Sequence, residues 1–249
     1  MSDTLSNQNW PDNERIICKL REEIDANLGR GTWQEIAREC EPLANMSDHD
    51  LSSCASMLIS NFDTLSGPEM ANKVFSKVRH GLTKSDFCWA REKFLWYGNI
   101  DEFADAILAD SLNELKANME NGTLFYGQPI TQEVYQYVRE IDDLFYGKRC
   151  GGKIFATAIP FRAQAYLQSQ DLRTKRYNMC HCQFARESIL CDKPVSKTMC
   201  YCSLGHNLMF WETALDVELS GNVIMSALNG DVSCKFVIDL PEWIVEKYT

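Results

Sequence analysis

The chain has 249 residues, of which 45% are apolar and 24% are charged, and its formal net charge is −10. This composition is typical of a globular protein and excludes a chain that is disordered throughout. Residues 1–150 hold 15 Lys/Arg and 25 Asp/Glu, whereas residues 151–249 hold 10 of each. Neither part carries the basic surface that binding of nucleic acid requires, so we expect no nucleic-acid partner.

We expect no targeting segment at the beginning of the chain. MSDTLSNQNWPDNER contains neither the basic nor the apolar stretch of a secretory signal. No window of the sequence approaches the ~18 continuous apolar residues of a membrane span. We therefore expect a cytoplasmic protein with no membrane partner. In a reducing cytosol, the eleven cysteines are buried side chains, metal ligands or reactive thiols rather than a disulfide framework.

Helical periodicity dominates the first 147 residues. We predict helices over 12–29, 32–43, 47–65, 67–82, 85–98, 99–122 and 131–147. Thr32, Ser47, Ser85 and Ser203 are the predicted N-caps, since hydroxyl oxygens accept hydrogen bonds from free backbone N–H groups. Pro68 suits the first turn of its helix.

The character of the sequence changes at YGKRCGG, residues 146–152, where glycines and basic residues interrupt the helices. A strand is predicted within 153–167, a helix from Ser203, and a hairpin over 222–241 with its turn at Asn229–Gly230. The predicted fold class is α+β. An all-helical domain, 1–150, precedes a domain with an antiparallel sheet and a packed helix, 151–249.

Two Cys-x-Cys pairs in the second part are the strongest candidates for a site. In an extended segment, residues i and i+2 point the same way. Cys180 and Cys182 would then face one point, as would Cys200 and Cys202, and Cys234 follows in the hairpin. Three interpretations remain open: a bound metal, with zinc the candidate cofactor; a cluster of reduced thiols lining a pocket; or a redox pair that forms disulfides.

Four further residues are candidate ligand-binding groups. His181 lies within the first pair, and Arg186 and Glu187 follow it closely. Arg186 offers a planar fork for a carboxylate, although a local salt bridge to Glu187 explains both residues equally well. His206 follows the second pair and could donate to a ligand or lie at the surface. A cysteine next to His181 or Arg186 is expected to have a lowered thiol pKa.

The C-terminal order of motifs resembles the 4-vinyl reductase domain family, which consists of small-molecule-binding domains related to TRAPP vesicle-tethering subunits. The resemblance covers about the last 100 residues and is carried by Cys202, Ser203, Gly205, Gly230, Asp231, Cys234, Phe236 and Ile238. The Cys-His-Cys-x-Phe-x-Arg-Glu and Cys-Tyr-Cys-Ser runs are also similar to those of a group of bacterial proteins.

The resemblance implies a zinc site in some family members, with a Cys before the helix, a Glu and a Cys in the first hairpin strand, and a Cys after Gly-Asp. Cys200 or Cys202 matches the first ligand and Cys234 the last, but Val223 and Ser226 occupy the two middle positions. The family's site is therefore not carried over intact. It is either absent or completed by Cys180 and Cys182.

Three functions remain open. The resemblance favours a small-molecule-binding or sensory protein. The dense Cys-His-Arg-Glu run favours a thiol- or metal-dependent, hydrolase-like enzyme with Cys180, His181 or Cys182 at its centre. A structural interaction protein held together by zinc is the third. The expected partner is a small-molecule ligand, with a homodimer as an open alternative.

Overall fold

A computed structural model of the protein describes residues 13–38, 40, 48–191 and 194–249. Its class is α+β, as predicted, because helices dominate and two small antiparallel sheets accompany them. In the described part of the chain, no helix is both long and apolar enough to cross a membrane.

The first part of the chain is mainly helical, as the periodicity predicts. Its helices are α1 (Asn13–Leu28), α2 (Thr32–Ile36), α3 (Asp48–Ser66), α4 (Pro68–Val78), α5 (Cys88–Tyr97), α6 (Ile100–Asn121) and α7 (Gln132–Val138). Single 3₁₀ turns occupy Arg79–Gly81 and Lys84–Phe87. A short ribbon of β1 (Leu124–Phe125) and β2 (Gln128–Pro129) interrupts the helices, which the sequence pattern did not predict.

The predicted helix starts are confirmed in part. Pro68 begins α4, and Thr131, where the last helix was predicted to start, caps α7 by accepting a hydrogen bond from the Val134 N–H. The prediction for Thr32 is wrong because α2 starts at that residue and its cap position is Gly31. Ser85 also caps nothing, since it lies inside a 3₁₀ turn that begins one residue earlier. Ser47 falls outside the described residues.

The last predicted helix of this part is too long. It was expected to reach residue 147, but α7 ends at Val138. Backbone pairing explains the difference: the Thr157 N–H donates to the Asp143 carbonyl (2.7 Å) and the Phe145 N–H donates to the Thr157 carbonyl (2.8 Å). These long-range bonds hold residues 143–145 against a strand and compete with helix continuation.

The larger sheet has four antiparallel strands in the order β3-β4-β6-β5. The strands are β3 (Lys148–Cys150), β4 (Lys153–Thr157), β5 (Ser220–Met225) and β6 (Lys235–Asp239). The predicted β5–β6 hairpin is therefore confirmed, with Val223 opposite Phe236. Its connection is longer than the two-residue turn expected at Asn229–Gly230, because residues 226–234 form a loop that contains a 3₁₀ turn at Ala227–Asn229.

The helices of the second part are α8 (Ala163–Gln168), α9 (Leu172–Met179), α10 (Tyr201–Leu215) and α11 (Glu242–Tyr248), with 3₁₀ turns at Arg186–Ile189 and Lys197–Cys200. Helix α10 is central and packs against α4, α5 and β5. Gly205 allows this close packing, since a Cβ atom there would overlap the carbonyl oxygen of Ser76. The helix begins before Ser203, which is therefore not its cap.

Hydrophobic clusters cross the predicted domain boundary near residue 150. One cluster joins side chains of α1, α3 and α4 to Phe184, Met199 and Cys202. A second joins side chains of α5 and α6 to β4, α10 and β6. The division at residue 150 remains a prediction, but the packing that positions the site draws on both parts.

Candidate functional site

A cavity of about 130 Å³ lies between α10, the sheet and the segment that carries the first cysteine pair. Part of its wall is aromatic and is formed by Phe125, Tyr126, Phe145, Tyr146 and Phe236. Among the described residues that line it, none is an Asp, Glu, Lys or Arg. An apolar wall without charged groups suits a neutral molecule.

Four of the five predicted site cysteines line this one cavity. They are Cys180, Cys182, Cys200 and Cys234. Cys180 ends α9 with an extended backbone, Cys200 immediately precedes α10, and Cys234 immediately precedes β6. Three separate segments therefore bring four thiols to one cavity wall, although the second pair contributes only Cys200.

The fifth cysteine, Cys202, does not line the cavity. The expectation that it points with Cys200 rests on an extended backbone, but Cys200 has helical angles (φ −69°, ψ −17°) and α10 has begun by residue 201. Residues i and i+2 of a helix point to different sides. The Cys202 Sγ is buried and instead accepts a hydrogen bond from the His80 N–H at 3.2 Å.

Two of the cavity thiols are held by the loop between β5 and β6. The Cys200 Sγ lies 2.9 Å from the Ser226 Oγ, and the Ala227 N–H donates to the Cys234 Sγ at 3.5 Å. The Asp231 carboxylate accepts from the Ser226 N–H (2.9 Å) and fixes the loop. The longer connection in the hairpin thus positions its own Cys234 thiol and the Cys200 thiol from the segment before α10.

All four cavity thiols are harder to ionise than an ordinary cysteine. Burial raises the pKa of Cys180 to about 11 and that of Cys234 to about 12. Burial, and then the neighbouring thiols, raise the pKa values of Cys182 and Cys200 well above the ordinary value. The expectation of a lowered thiol pKa is therefore wrong: Arg186 lowers the pKa of Cys180, but burial outweighs it.

Three histidines also line the cavity: His80, His181 and His206. The predicted residue His181 is fixed by its Nε2, which donates to the Ile159 carbonyl at 2.6 Å. The predicted residue His206 is different, because its Nε2 is buried without a hydrogen-bond partner. Burial lowers the pKa of His206 to about 4, so the ring is neutral at neutral pH. An unpartnered buried nitrogen is a group that a ligand could satisfy.

His80 is a site residue that the sequence did not single out. Its Nε2 lies 3.3 Å from the Ser203 Oγ, and its ring centroid lies 5.4 Å from that of His206. Burial lowers the pKa of His80 to about 3. In the sequence, His80-Gly81 looks like an ordinary helix end, and no local pattern links it to the site cysteines, which are 100 or more residues away.

The two remaining predicted residues, Arg186 and Glu187, lie outside the cavity wall. The Arg186 guanidinium stacks over the rings of Phe161 (4.5 Å) and Tyr177 (5.5 Å). The Tyr177 hydroxyl donates to the Glu187 carboxylate at 2.7 Å. Arg186 thus packs behind the first cysteine pair, where it contributes to the shape of the segment and to the electrostatics of Cys180.

None of the cysteines forms a disulfide, and within the part of the chain that the structure describes the thiols are not arranged around a metal position. Each of the eleven cysteines is a free thiol. Over 13–38, 40, 48–191 and 194–249, no group of three or more His, Cys, Asp or Glu side chains is placed so that it could hold a metal ion. The donor atoms suit zinc chemically, but their positions do not fit it.

A second concavity of about 430 Å³ lies between α1, the end of α4 and α10. Its charged side chains are largely paired with each other, including the buried ion pair of Arg79 and Glu212 (2.7 Å) and the surface pair of Lys77 and Glu218 (2.5 Å). The described residues that line it include no cysteine or histidine. This polar cleft therefore lacks the chemistry of the cavity.

Comparisons of the chain with models of known protein families, with curated proteins and with solved structures find no match.

Proposed function

We propose that the protein is a small-molecule-binding module whose ligand occupies the cavity. The observation that carries this proposal is a buried wall of aromatic rings and neutral thiols, interrupted by the unpartnered Nε2 of His206. Pockets of this kind combine an apolar surface with a few polar groups that orient the ligand. The resemblance to the 4-vinyl reductase domains, which bind small molecules, supports the same function.

The size of the cavity limits the ligand. Drug-sized molecules occupy pockets of roughly 300–1,000 Å³, whereas a dry cavity of about 150 Å³ accommodates benzene. At about 130 Å³, the cavity suits a compact neutral molecule with one ring. A charged molecule would lose its hydration without gaining an ionic partner from the wall.

Toluene is a suitable probe of this proposal, with its binding measured by calorimetry and by thermal unfolding. We expect toluene to raise the melting temperature, since a ligand that binds only the folded state stabilises it by about 2.7 kcal/mol at a hundredfold excess over Kd. Ala158 lines the cavity, so Ala158→Met should fill it and abolish the effect. Ala165→Met, the same change at an exposed position, should leave the effect intact.

Absence of binding to the wild-type protein, or equal loss of binding in both methionine variants, would contradict the cavity as a ligand site.

A zinc centre in the cavity is a second candidate, favoured by the convergence of four thiols from three segments. The side chains would have to reorient to hold the ion, and binding would release protons because the thiols are neutral. Equilibrium dialysis with metal analysis tests this. Cys180→Ala and Cys234→Ala should each abolish zinc retention, whereas Cys202→Ala should not. Zinc retention that depends on Cys202, or no retention at all, would refute it.

The enzyme alternative has less support. A nucleophilic cysteine needs a thiolate, and burial keeps the cavity thiols protonated at neutral pH. We further propose a cytoplasmic setting, which is supported by eleven reduced cysteines. The homodimer remains a prediction.

A further inference from the structure

The turn after α4 has an unusual backbone. Arg79 (φ 55°), His80 (φ 53°) and Gly81 (φ 72°) are consecutive residues in the left-handed region. Residues other than glycine rarely adopt this conformation, and such strain persists only where the surroundings hold it in place. Two strained non-glycine residues in succession therefore need contacts that stabilise them.

Because of this backbone conformation, the side chains of Arg79 and His80 lie in two different sites. The Arg79 side chain reaches the polar cleft, where it pairs with Glu212 at 2.7 Å. The His80 ring enters the wall of the cavity, next to Ser203 and His206. Were His80 to adopt ordinary helical angles, its ring would leave this position.

Contacts on both sides hold the turn. The Arg15 guanidinium donates to the Gly81 carbonyl at 3.2 Å, and a Cβ atom on Gly81 would crowd Arg15. On the cavity side, the His80 N–H donates to the Cys202 Sγ at 3.2 Å. Of these contacts, the one from Cys202 acts on the backbone of His80 itself. Cys202 is 4% exposed, so water does not readily replace it as the acceptor.

We propose that Cys202 is a positioning residue, which accepts the His80 N–H, keeps the His80 ring in the cavity wall and thereby controls the affinity of the cavity. The inference rests on the proposed ligand-binding function, but it assigns Cys202 a role other than that of a metal ligand. It also explains why the second cysteine pair spans two environments: Cys200 faces the cavity and Cys202 fixes a neighbouring element of its wall.

The test compares Cys202→Ala, Cys202→Ser and Cys40→Ala in the full chain. Cys40 is a matched control because it is another buried cysteine of the same hydrophobic cluster. Two properties are measured: the NMR signal of the His80 ring, assigned by comparison with His80→Gln, and the Kd for toluene. Cys202→Val serves as a second variant without the acceptor if Cys202→Ala does not fold.

We expect Cys202→Ala to shift the His80 signal and to weaken toluene binding about tenfold, the effect of losing one buried hydrogen bond. Cys202→Ser should restore both properties, since its hydroxyl oxygen accepts the same N–H. Cys40→Ala should lower the melting temperature and change neither property.

An unchanged His80 signal in Cys202→Ala, or an equal change in Cys40→Ala, would overturn the positioning role. Failure of the wild-type protein to bind toluene would instead refute the proposed function, and the His80 signal would still decide the role of Cys202.

Discussion

The two Cys-x-Cys pairs have the same spacing but different surroundings. Cys180 and Cys182 follow the end of α9 and both line the cavity. Cys200 and Cys202 span the start of α10, so that one lines the cavity and the other contacts the His80 backbone. The difference shows that the backbone conformation, rather than the spacing in the sequence, determines where a pair of side chains points.

The largest effect is expected from a change that displaces α10, the helix at whose start the second pair lies. Gly205→Ala would force α10 away from α4, because the added Cβ overlaps the Ser76 carbonyl oxygen. We expect a loss of about 4 kcal/mol in unfolding free energy, the upper end for single substitutions. Gly152→Ala is the control, since a Cβ there meets nothing within 4 Å. Chemical denaturation measures the free energy of unfolding of the two variants. An equal loss of stability in both would show that α10 is not packed as described.

The second largest effect is expected from low pH, which should destabilise the protein near the second pair through protonation of His206. Burial lowers the pKa of His206 from 6.5 to about 4, so the unfolded chain takes up the proton first as pH falls. The contribution of neutral His206 to the free energy of unfolding is fully present above pH 6.5. It falls by about 3 kcal/mol as the pH approaches 4. His206→Phe should therefore lose less stability than the wild-type protein over this range. Parallel pH profiles from denaturant titrations would contradict the burial of His206.

Thiol reactivity distinguishes the cavity cysteines from those at the surface. Since burial raises the pKa of Cys180 to about 11, its thiolate fraction at neutral pH should be about a hundredfold below that of an ordinary thiol. Cys18, Cys88 and Cys150 are exposed. We expect iodoacetamide to modify these three at least a hundredfold faster than Cys180, as followed by peptide mass spectrometry. Rapid labelling of Cys180 in the native protein would revive the nucleophile hypothesis.

The smallest effect concerns the partner of Cys200. Ser226→Ala removes the hydroxyl that contacts the Cys200 Sγ and should cost about 1 kcal/mol. Ser220→Ala, at an exposed position of β5, should cost nearly nothing. Thermal unfolding of the two variants measures how much the Ser226 hydroxyl stabilises the protein through its contacts with the Cys200 Sγ and the Leu228 N–H. Identical melting temperatures would remove Ser226 from the site.

The sequence predicts those features that local patterns determine. Helical periodicity locates the first and longest helices, and the alternation around Asn229–Gly230 locates the hairpin. It also predicts that the first pair approaches Cys200 and Cys234. Long-range contacts explain part of what it misses, since pairing of Phe145 with Thr157 shortens α7. The early start of α10 explains why Cys202 does not line the cavity. His80 joins the site only through tertiary packing, for which the sequence carries no local signal.

The hydrophobic clusters that cross residue 150 have a consequence for synthesis of the chain. Helices α1, α3 and α4 leave the ribosome well before Phe184 and Met199, against which they pack. Their apolar faces must therefore wait until more than 50 further residues have been translated. During that interval the nascent chain presents an incomplete core, the condition in which transiently exposed apolar surface favours aggregation.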